Sequence, residues 1–172
     1  GEFGERLPGL LRIAHEHDLK RAMLGGVDRV YEIGRTFRNE GLDSTHAAEF
    51  AMLEAYEAYG DQHTMIALAK ALVQDAHKAI GSPTIVGRDG SEIDLHGEWR
   101  EAPILELVSE AVGATVGVDT DADTLRGYAD KHGVELQDQW GAPEIGVELF
   151  EQLVEHYLVK PTVVKDYPEE DK

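Results

Sequence analysis

Two predicted strands and the loop between them decide the fold. They lie in residues 29–59, which read RVYEIGRTFRNEGLDSTHAAEFAMLEAYEAY. Residues 30–37 carry β-branched and aromatic side chains and no proline, which is typical of a strand. Residues 49–58 are rich in Ala, Met, Leu and Glu, so their composition alone fits a helix or a strand. Loop residues at 41–44 separate the two segments, and two strands joined in this way pair antiparallel.

Side chains alternate between the two faces of a strand, so the even-numbered residues of each segment share a face. Gly34 and Thr36 leave open space on this face of the first strand. Ala51, Leu53 and Ala55 would lie on the opposite face of the second strand. When the two even faces align, one surface gathers an arginine, two carboxylates, a phenol and a phenyl ring: Arg38, Glu40, Glu54, Tyr56 and Phe50.

This surface suits a ligand that carries a phosphate, a flat ring and ammonium groups. An arginine fork binds phosphate or carboxylate with two hydrogen bonds. A phenylalanine ring stacks on a purine, and carboxylates that lie close together favour a cationic partner. The alternative is a half-exposed sheet with an ordinary Arg–Glu surface pair, and spacing alone leaves both interpretations open.

Charge and composition narrow the class of protein. The 172 residues include 34 acidic and 16 basic side chains, so the formal net charge is −18. Such acidity argues against a domain that mainly grips nucleic-acid phosphates or an anionic membrane surface. The chain has no cysteine, and its eight histidines follow no zinc-ligand spacing, so we predict no metal site. Without a signal pattern or an apolar span, a cytoplasmic location is expected.

The remaining elements predict an α+β fold, an antiparallel sheet flanked by helices. Helices are expected over 16–24, 61–80, 103–112, 123–132 and 143–158, with a short hairpin over 84–95 and a strand over 162–164. The helix over 61–80 carries one apolar stripe formed by Met65, Leu68, Ala69, Leu72, Val73, Ala76 and Ile80. The terminal strand needs a partner, which we expect outside this chain.

The run over 29–59 resembles motif 2 of class II aminoacyl-tRNA synthetases, and it is most similar to the lysyl branch. Residues 11–21, LRIAHEHDLKR, resemble the segment that precedes motif 2 in the lysyl enzymes. A weaker similarity extends to residues 160–168, so the resemblance covers nearly the whole chain and favours a strand over 49–58. Residues 97–99 and 120–140 are most similar to the actinobacterial form, in which the synthetase can be joined to a membrane lysyl-lipid module.

The resemblance implies a role for each matching residue. Arg38 would contact the α-phosphate of ATP and the carboxylate of the amino acid, and so act in catalysis. Glu40 would help to hold the adenine amino group or the motif 2 loop, His46 would lie near the distal phosphates, and Phe50 would stack on adenine. The ammonium groups of lysine would be held by Glu16, Glu54 and Tyr56.

Several departures qualify the resemblance. The family usually has Pro at His15 and an aromatic residue at Asp18, and its Asn-Pro pair is replaced by Ala47 and Ala48. We expect residues 1–172 to be part of a class II catalytic domain, with motif 2 over 29–59 and a helical insertion over 97–158. Motif 1, motif 3 and an anticodon-binding OB domain are not recognisable, so the ligands of Mg2+ and a third lysine-binding glutamate are expected outside this chain.

Three functions follow from the resemblance as hypotheses. The first is the core of a lysine–tRNA ligase, which would take lysine and ATP as substrates, act on tRNA(Lys) through its parent protein and form a homodimer. The second is a related lysine-activating enzyme whose acceptor is a protein or a lipid pathway. The third is a truncated domain that does not catalyse. This segment is expected to make no contact with a membrane.

Overall fold

The computed structural model describes residues 11–38 and 47–168. Their contacts divide the chain into two compact units, Gly1–Met65 and Ile66–Lys172. The elements follow in the order α1 (Glu16–Leu24), β1 (Arg29–Phe37), β2 (Glu49–Glu57), α2 (Gln62–Ala79), β3 (Ile85–Val86), β4 (Glu92–Ile93), β5 (Arg100–Pro103), α3 (Ile104–Val112), α4 (Ala122–His132), α5 (Ala142–Leu153) and β6 (Thr162–Lys165).

The first unit is an antiparallel hairpin of β1 and β2 together with helix α1. The strand predicted over 49–58 is therefore confirmed, although its composition also fits a helix. Pairing with β1 supplies the backbone hydrogen bonds that decide between the two. Helix α1 buries Leu19 and ends at Gly25. Gly26 follows with a φ of 96°, a conformation that a residue without Cβ adopts at little cost.

The second unit has a continuous apolar core. Helix α3 ends at Gly113 and helix α4 at Gly133, both in the left-handed conformation that terminates helices. Asp121 caps α4, because its carboxylate accepts a hydrogen bond of 2.9 Å from the backbone N–H of Thr124. The buried side chains come from β5, from α3 to α5 and from the adjoining segments: Ala102, Ile104, Leu107, Val108, Val112, Val116, Leu125, Ala129, Ile145, Leu149, Phe150 and Val154.

Helix α5 is shorter than the sequence predicts. The apolar spacing indicates a helix to Leu158, but α5 ends at Leu153 and a 3-10 turn follows over Glu155–Tyr157. At Val154 the backbone leaves the helical region, with φ −122° and ψ −54°, while the side chain stays in the core. Residues 154–158 include a valine, a histidine and a tyrosine, whose helix propensity is modest. The helical conformation is therefore only weakly favoured here, and the packing of Val154 in the core decides where the helix stops.

The terminal strand finds its partner within this chain, contrary to the expectation from the sequence. β6 pairs in parallel with β5, with Ala102 opposite Val164. Residues 100–103, Arg-Glu-Ala-Pro, have no strand signature, so tertiary pairing creates β5. Pro103 stands at its end, where a missing N–H costs little. The α+β class is confirmed, and the strands form three separate two-stranded ladders, two antiparallel and one parallel.

Helix α2 forms close to where it is predicted, but its apolar stripe is not buried by the residues that the structure describes. Within that part of the chain no residue of α2 is buried, and Ile80 at its end is 71% exposed. None of the helices in the described residues has the length and apolar character needed to cross a membrane.

Candidate functional site

The register of the hairpin puts the even-numbered residues of both strands on one face. Gly34 lies opposite Met52, and Thr36 lies opposite Phe50. The even-numbered residues are buried or half-buried along β1, whereas the odd-numbered Tyr31 and Ile33 are 70% and 64% exposed. The alignment that the sequence predicts is therefore confirmed, and it brings Phe50, Glu54 and Tyr56 to the same side as Arg38.

The segment that leads into α1 lies against this even face. The backbone N–H of His15 donates a hydrogen bond to the Glu54 carboxylate. Arg38 donates from Nε to the carbonyl oxygen of Ile13 at 3.3 Å. The backbone N–H of Phe37 donates to the carbonyl of Arg12 at 2.9 Å. These bonds tie α1 to both strands, so Glu16 at the start of the helix belongs to the same site.

Gly34 permits this close approach. A Cβ at this position would lie 2.6 Å from a guanidinium nitrogen of Arg12 and 3.0 Å from Cε1 of His15. Both distances are shorter than ordinary carbon contacts. A larger residue at position 34 would therefore displace the end of the Arg12 side chain and press on the buried His15 ring.

Two carboxylates face each other across the hairpin. Glu32 and Glu54 are direct cross-strand partners, and like charges in this position repel. The Arg12 guanidinium compensates Glu32 at 2.6 Å, while Glu54 accepts the His15 N–H. Glu32 was not among the residues proposed from the sequence, although the same parity that selects Arg38 also selects Glu32.

Lys20 lies within the group proposed to hold ammonium. Its Nζ is 2.5 Å from a Glu16 carboxylate oxygen and 5.9 Å from the centre of the Tyr56 ring. This hydrogen bond lowers the pKa of Glu16 and raises the pKa of Lys20. Burial raises the pKa of the Tyr56 phenol, and the charges of Glu16 and Glu54 raise it further. The spacing of Glu16 and Lys20, four residues apart on a helix, is the sequence signal for this pair.

Arg38 and Phe50 form the other end of the site. The Arg38 guanidinium carbon lies 5.5 Å from the centre of the Phe50 ring, which is within the range of a cation–π contact. The group proposed for phosphate and the ring proposed for a purine are thus adjacent. Glu40 and His46, also proposed for ATP, lie outside the described residues.

The described part of the chain contains no group of three or more His, Asp or Glu side chains arranged to hold a metal ion. A histidine pair does occur in the second unit, where Nδ1 of His77 lies 3.1 Å from Nε2 of His96. The other ring nitrogen of His77 lies 2.8 Å from the carbonyl oxygen of Pro83. A carbonyl can only accept, so Nε2 of His77 is the donor in its hydrogen bond to Pro83.

Comparison with known protein families agrees with the resemblance of residues 29–59 to motif 2 of class II synthetases. The family described as tRNA synthetases class II (D, K and N) matches residues 4–172. The chain therefore belongs to the class II tRNA synthetase family.

Individual relatives point to the lysyl branch. The chain is 45% identical to a lysine–tRNA ligase of Mycolicibacterium gilvum and 43% identical to one of Kineococcus radiotolerans, in each case over 93% of this chain and 32% of the relative. It is also 42% identical to the lysylphosphatidylglycerol biosynthesis bifunctional protein LysX of Mycolicibacterium vanbaalenii, over 92% of this chain and 15% of that protein. The chain spans about a third or less of these relatives.

Proposed function

We propose that this chain is the part of a lysine–tRNA ligase catalytic domain that binds lysine and ATP and forms lysyl-adenylate. Residues 29–59 would supply motif 2 and residues 97–158 a helical insertion. The similarity to actinobacterial lysine–tRNA ligases supports the choice of amino acid.

One observation carries the proposal. At the cluster of Glu16, Glu54 and Tyr56, the chain already holds a primary alkylammonium group, that of Lys20. A lysine substrate has two ammonium groups, one at each end, so it suits a site with two carboxylates and an aromatic ring. We propose that Glu16, Glu54 and Tyr56 take these groups, with Tyr56 near the side-chain amine.

The ATP half of the site would be built around Arg38 and Phe50. Phe50 offers a ring on which adenine can stack, and Arg38 offers a fork for the α-phosphate and the carboxylate of lysine. We assign Glu40 and His46 to ATP from their motif positions alone. We propose that the ligands of Mg2+ lie outside this chain, in the rest of the parent protein.

The chemistry that follows needs no covalent enzyme intermediate. A lysine carboxylate oxygen attacks the α-phosphorus of ATP in line, the bond to the bridging oxygen breaks, and pyrophosphate leaves with the electron pair. Negative charge accumulates on the α-phosphate oxygens, next to Arg38. The residues of this chain would contribute by positioning the reactants and by stabilising that charge. A hydroxyl at the end of tRNA(Lys) would then attack the carbonyl carbon of lysyl-adenylate and lose its proton, while the bond to the phosphate oxygen breaks and AMP leaves with the electron pair.

Lysine-dependent ATP–pyrophosphate exchange by the parent protein tests the proposal. The Arg38→Ala variant should lose exchange by roughly 10²–10³-fold, because it removes a charge that acts at the reacting phosphate. Arg35→Ala is a matched control, since Arg35 points to the opposite face of the same strand and pairs with Glu49 at 3.5 Å. Equal activity of the two variants would contradict the role of Arg38. From residues 1–172 alone we expect little or no exchange.

The similarity to LysX supports a second candidate. In a parent protein of that kind, the same lysine-activating site would serve lysylphosphatidylglycerol biosynthesis. Mass spectrometry of phosphatidylglycerol vesicles incubated with the parent protein, ATP, lysine and tRNA would separate the two. Lysylated lipid favours this candidate, whereas lysylated tRNA with unmodified lipid favours the first.

A further inference from the structure

A buried histidine lies beneath the proposed ammonium site. The His15 side chain has no exposed surface, and neither ring nitrogen has a hydrogen-bond partner among the residues that the structure describes. Buried polar atoms usually pair, because leaving them without a partner costs free energy. The unpaired imidazole of His15 therefore needs an explanation, and the charged groups near it suggest that it has a functional role.

Both carboxylates and cations lie near His15. On β1, an oxygen of Glu32 lies 3.5 Å from Nδ1 of His15, and Arg12 contacts the same oxygen at 2.6 Å. On β2, Glu54 accepts the backbone N–H of His15 itself. On α1, Glu16 follows directly in the chain. Two further cations reach this part of the site: Lys20 pairs with Glu16 at 2.5 Å, and Arg38 donates to the carbonyl of Ile13. Two other titratable groups, the His17 ring and the Tyr56 phenol, lie close enough to act on Glu16.

The neutral and the protonated imidazole would affect the neighbouring carboxylates differently. A neutral ring leaves Glu32 paired with Arg12 and adds no charge next to Glu54 or to the Glu16–Lys20 pair. A protonated ring forms an ion pair with Glu32 and adds one positive charge beneath the site. Because His15 is bonded to Glu54 through its backbone, the added charge acts next to a carboxylate proposed to hold lysine.

We propose that His15 is a positioning residue whose proton sets how strongly this site binds the ammonium groups of lysine. The inference rests on the proposed function and adds a regulation to the same site. Histidine is the side chain that normally changes charge between pH 5 and 8. Lysine binding should therefore weaken as the pH falls through this range, and lysine should in turn release the proton from His15.

Isothermal titration of the parent protein with L-lysine between pH 5.5 and 8.0 tests this directly. For the wild type we expect the dissociation constant to rise about five- to tenfold toward pH 5.5, the effect of one charge at short range in a partly screened site. His15→Gln keeps the backbone N–H and similar bulk but cannot titrate, so its affinity should change by less than twofold. The matched control, His132→Gln, alters an exposed histidine of the second unit and should follow the wild type.

The possible failures are distinguishable. No lysine binding at pH 8.0 would contradict the proposed function, and the role of His15 with it. Binding with the same pH dependence in the wild type and His15→Gln would overturn the role of His15 alone.

A second measurement needs no variant and so covers the case in which His15→Gln fails to fold. Nitrogen-15 NMR of the histidine ring signals in the wild type should show that saturating lysine lowers the titration midpoint of one buried histidine by about 0.7–1 pH unit. This shift is the logarithm of the five- to tenfold change in lysine affinity, because the coupling between proton and lysine binding is reciprocal. An unchanged midpoint would overturn the inference.

Discussion

The two units of the chain bury different kinds of side chain. The second unit encloses twelve apolar residues between α3, α4, α5 and the β5–β6 ladder. In the described part of the first unit, three side chains are buried, and two of them, His15 and Thr36, are polar. The hairpin instead presents arginine, glutamate and tyrosine side chains on the face that α1 covers.

Under the proposed function, stability and ligand binding are carried by separate parts of the chain. A face that must receive a charged ligand keeps its polar groups half-buried and partly solvated, so it cannot also be a dry core. The second unit has no such constraint, and its close packing provides most of the apolar burial. Truncations in the core of the second unit should therefore give the largest losses of stability, whereas charge changes on the hairpin should alter ligand binding.

The largest effect is expected from Leu149→Ala. Leu149 is fully buried at the centre of the second unit, so its truncation should cost about 2–5 kcal/mol of unfolding free energy. Both tryptophans, Trp99 and Trp140, belong to this unit, so urea unfolding followed by tryptophan fluorescence reports on it. Leu53→Ala is the control, since Leu53 is 45% exposed on the other unit and should leave this transition within about 0.5 kcal/mol. Equal losses would contradict the division between the units.

The second-largest effect is expected from Glu54→Gln, which keeps the shape of the side chain and removes its charge. Lysine affinity should fall about 30-fold, because a hydrogen bond to a charged group contributes roughly 2 kcal/mol. Glu49→Gln, on the exposed face of the same strand, should leave affinity unchanged. Calorimetric titration with lysine measures both variants, and normal binding by Glu54→Gln would remove this residue from the proposed site.

A smaller effect is expected from Gly34→Ala. The new Cβ would displace the end of the Arg12 side chain and press on the buried His15 ring, which should cost about 1 kcal/mol of stability in the first unit. Hydrogen exchange of the β1 and β2 amides measures this cost locally. Gly117→Ala is a control in the second unit, because a Cβ there meets no atom within 4 Å. Unchanged protection in β1 and β2 would show that α1 does not need this close approach.

The smallest effect concerns the Glu16–Lys20 pair and its pH dependence. The hydrogen bond from Lys20 lowers the pKa of Glu16, so the pair is present above the usual glutamate pKa and is lost as the pH falls through the lowered value. Carbon-13 NMR of the side-chain carboxyls should show the Glu16 midpoint rising toward 4.5 in Lys20→Met. Arg21→Met, which removes a partner of Asp18 instead, should leave that midpoint in place.

Much of the fold could be predicted because local chemistry specifies it. Gly113 and Gly133 end their helices, and the alternation along β1 assigns each residue to a face. Strand β5 could not be predicted, because residues 100–103 form a strand only where β6 lies beside them. The end of α5 was also misjudged, since the packing of Val154 outweighs the apolar period.

For the candidate site, the residue types and their parity along the hairpin follow from the sequence alone, because alternation is a property of a single strand. Membership of the class II synthetase family rests on the sequence in the same way. Only the tertiary structure decided that His15 lies buried against Glu32, and that Lys20 reaches toward Tyr56. These pairs join residues 17 and 36 positions apart, and such contacts depend on how α1 docks on the strands rather than on any local preference.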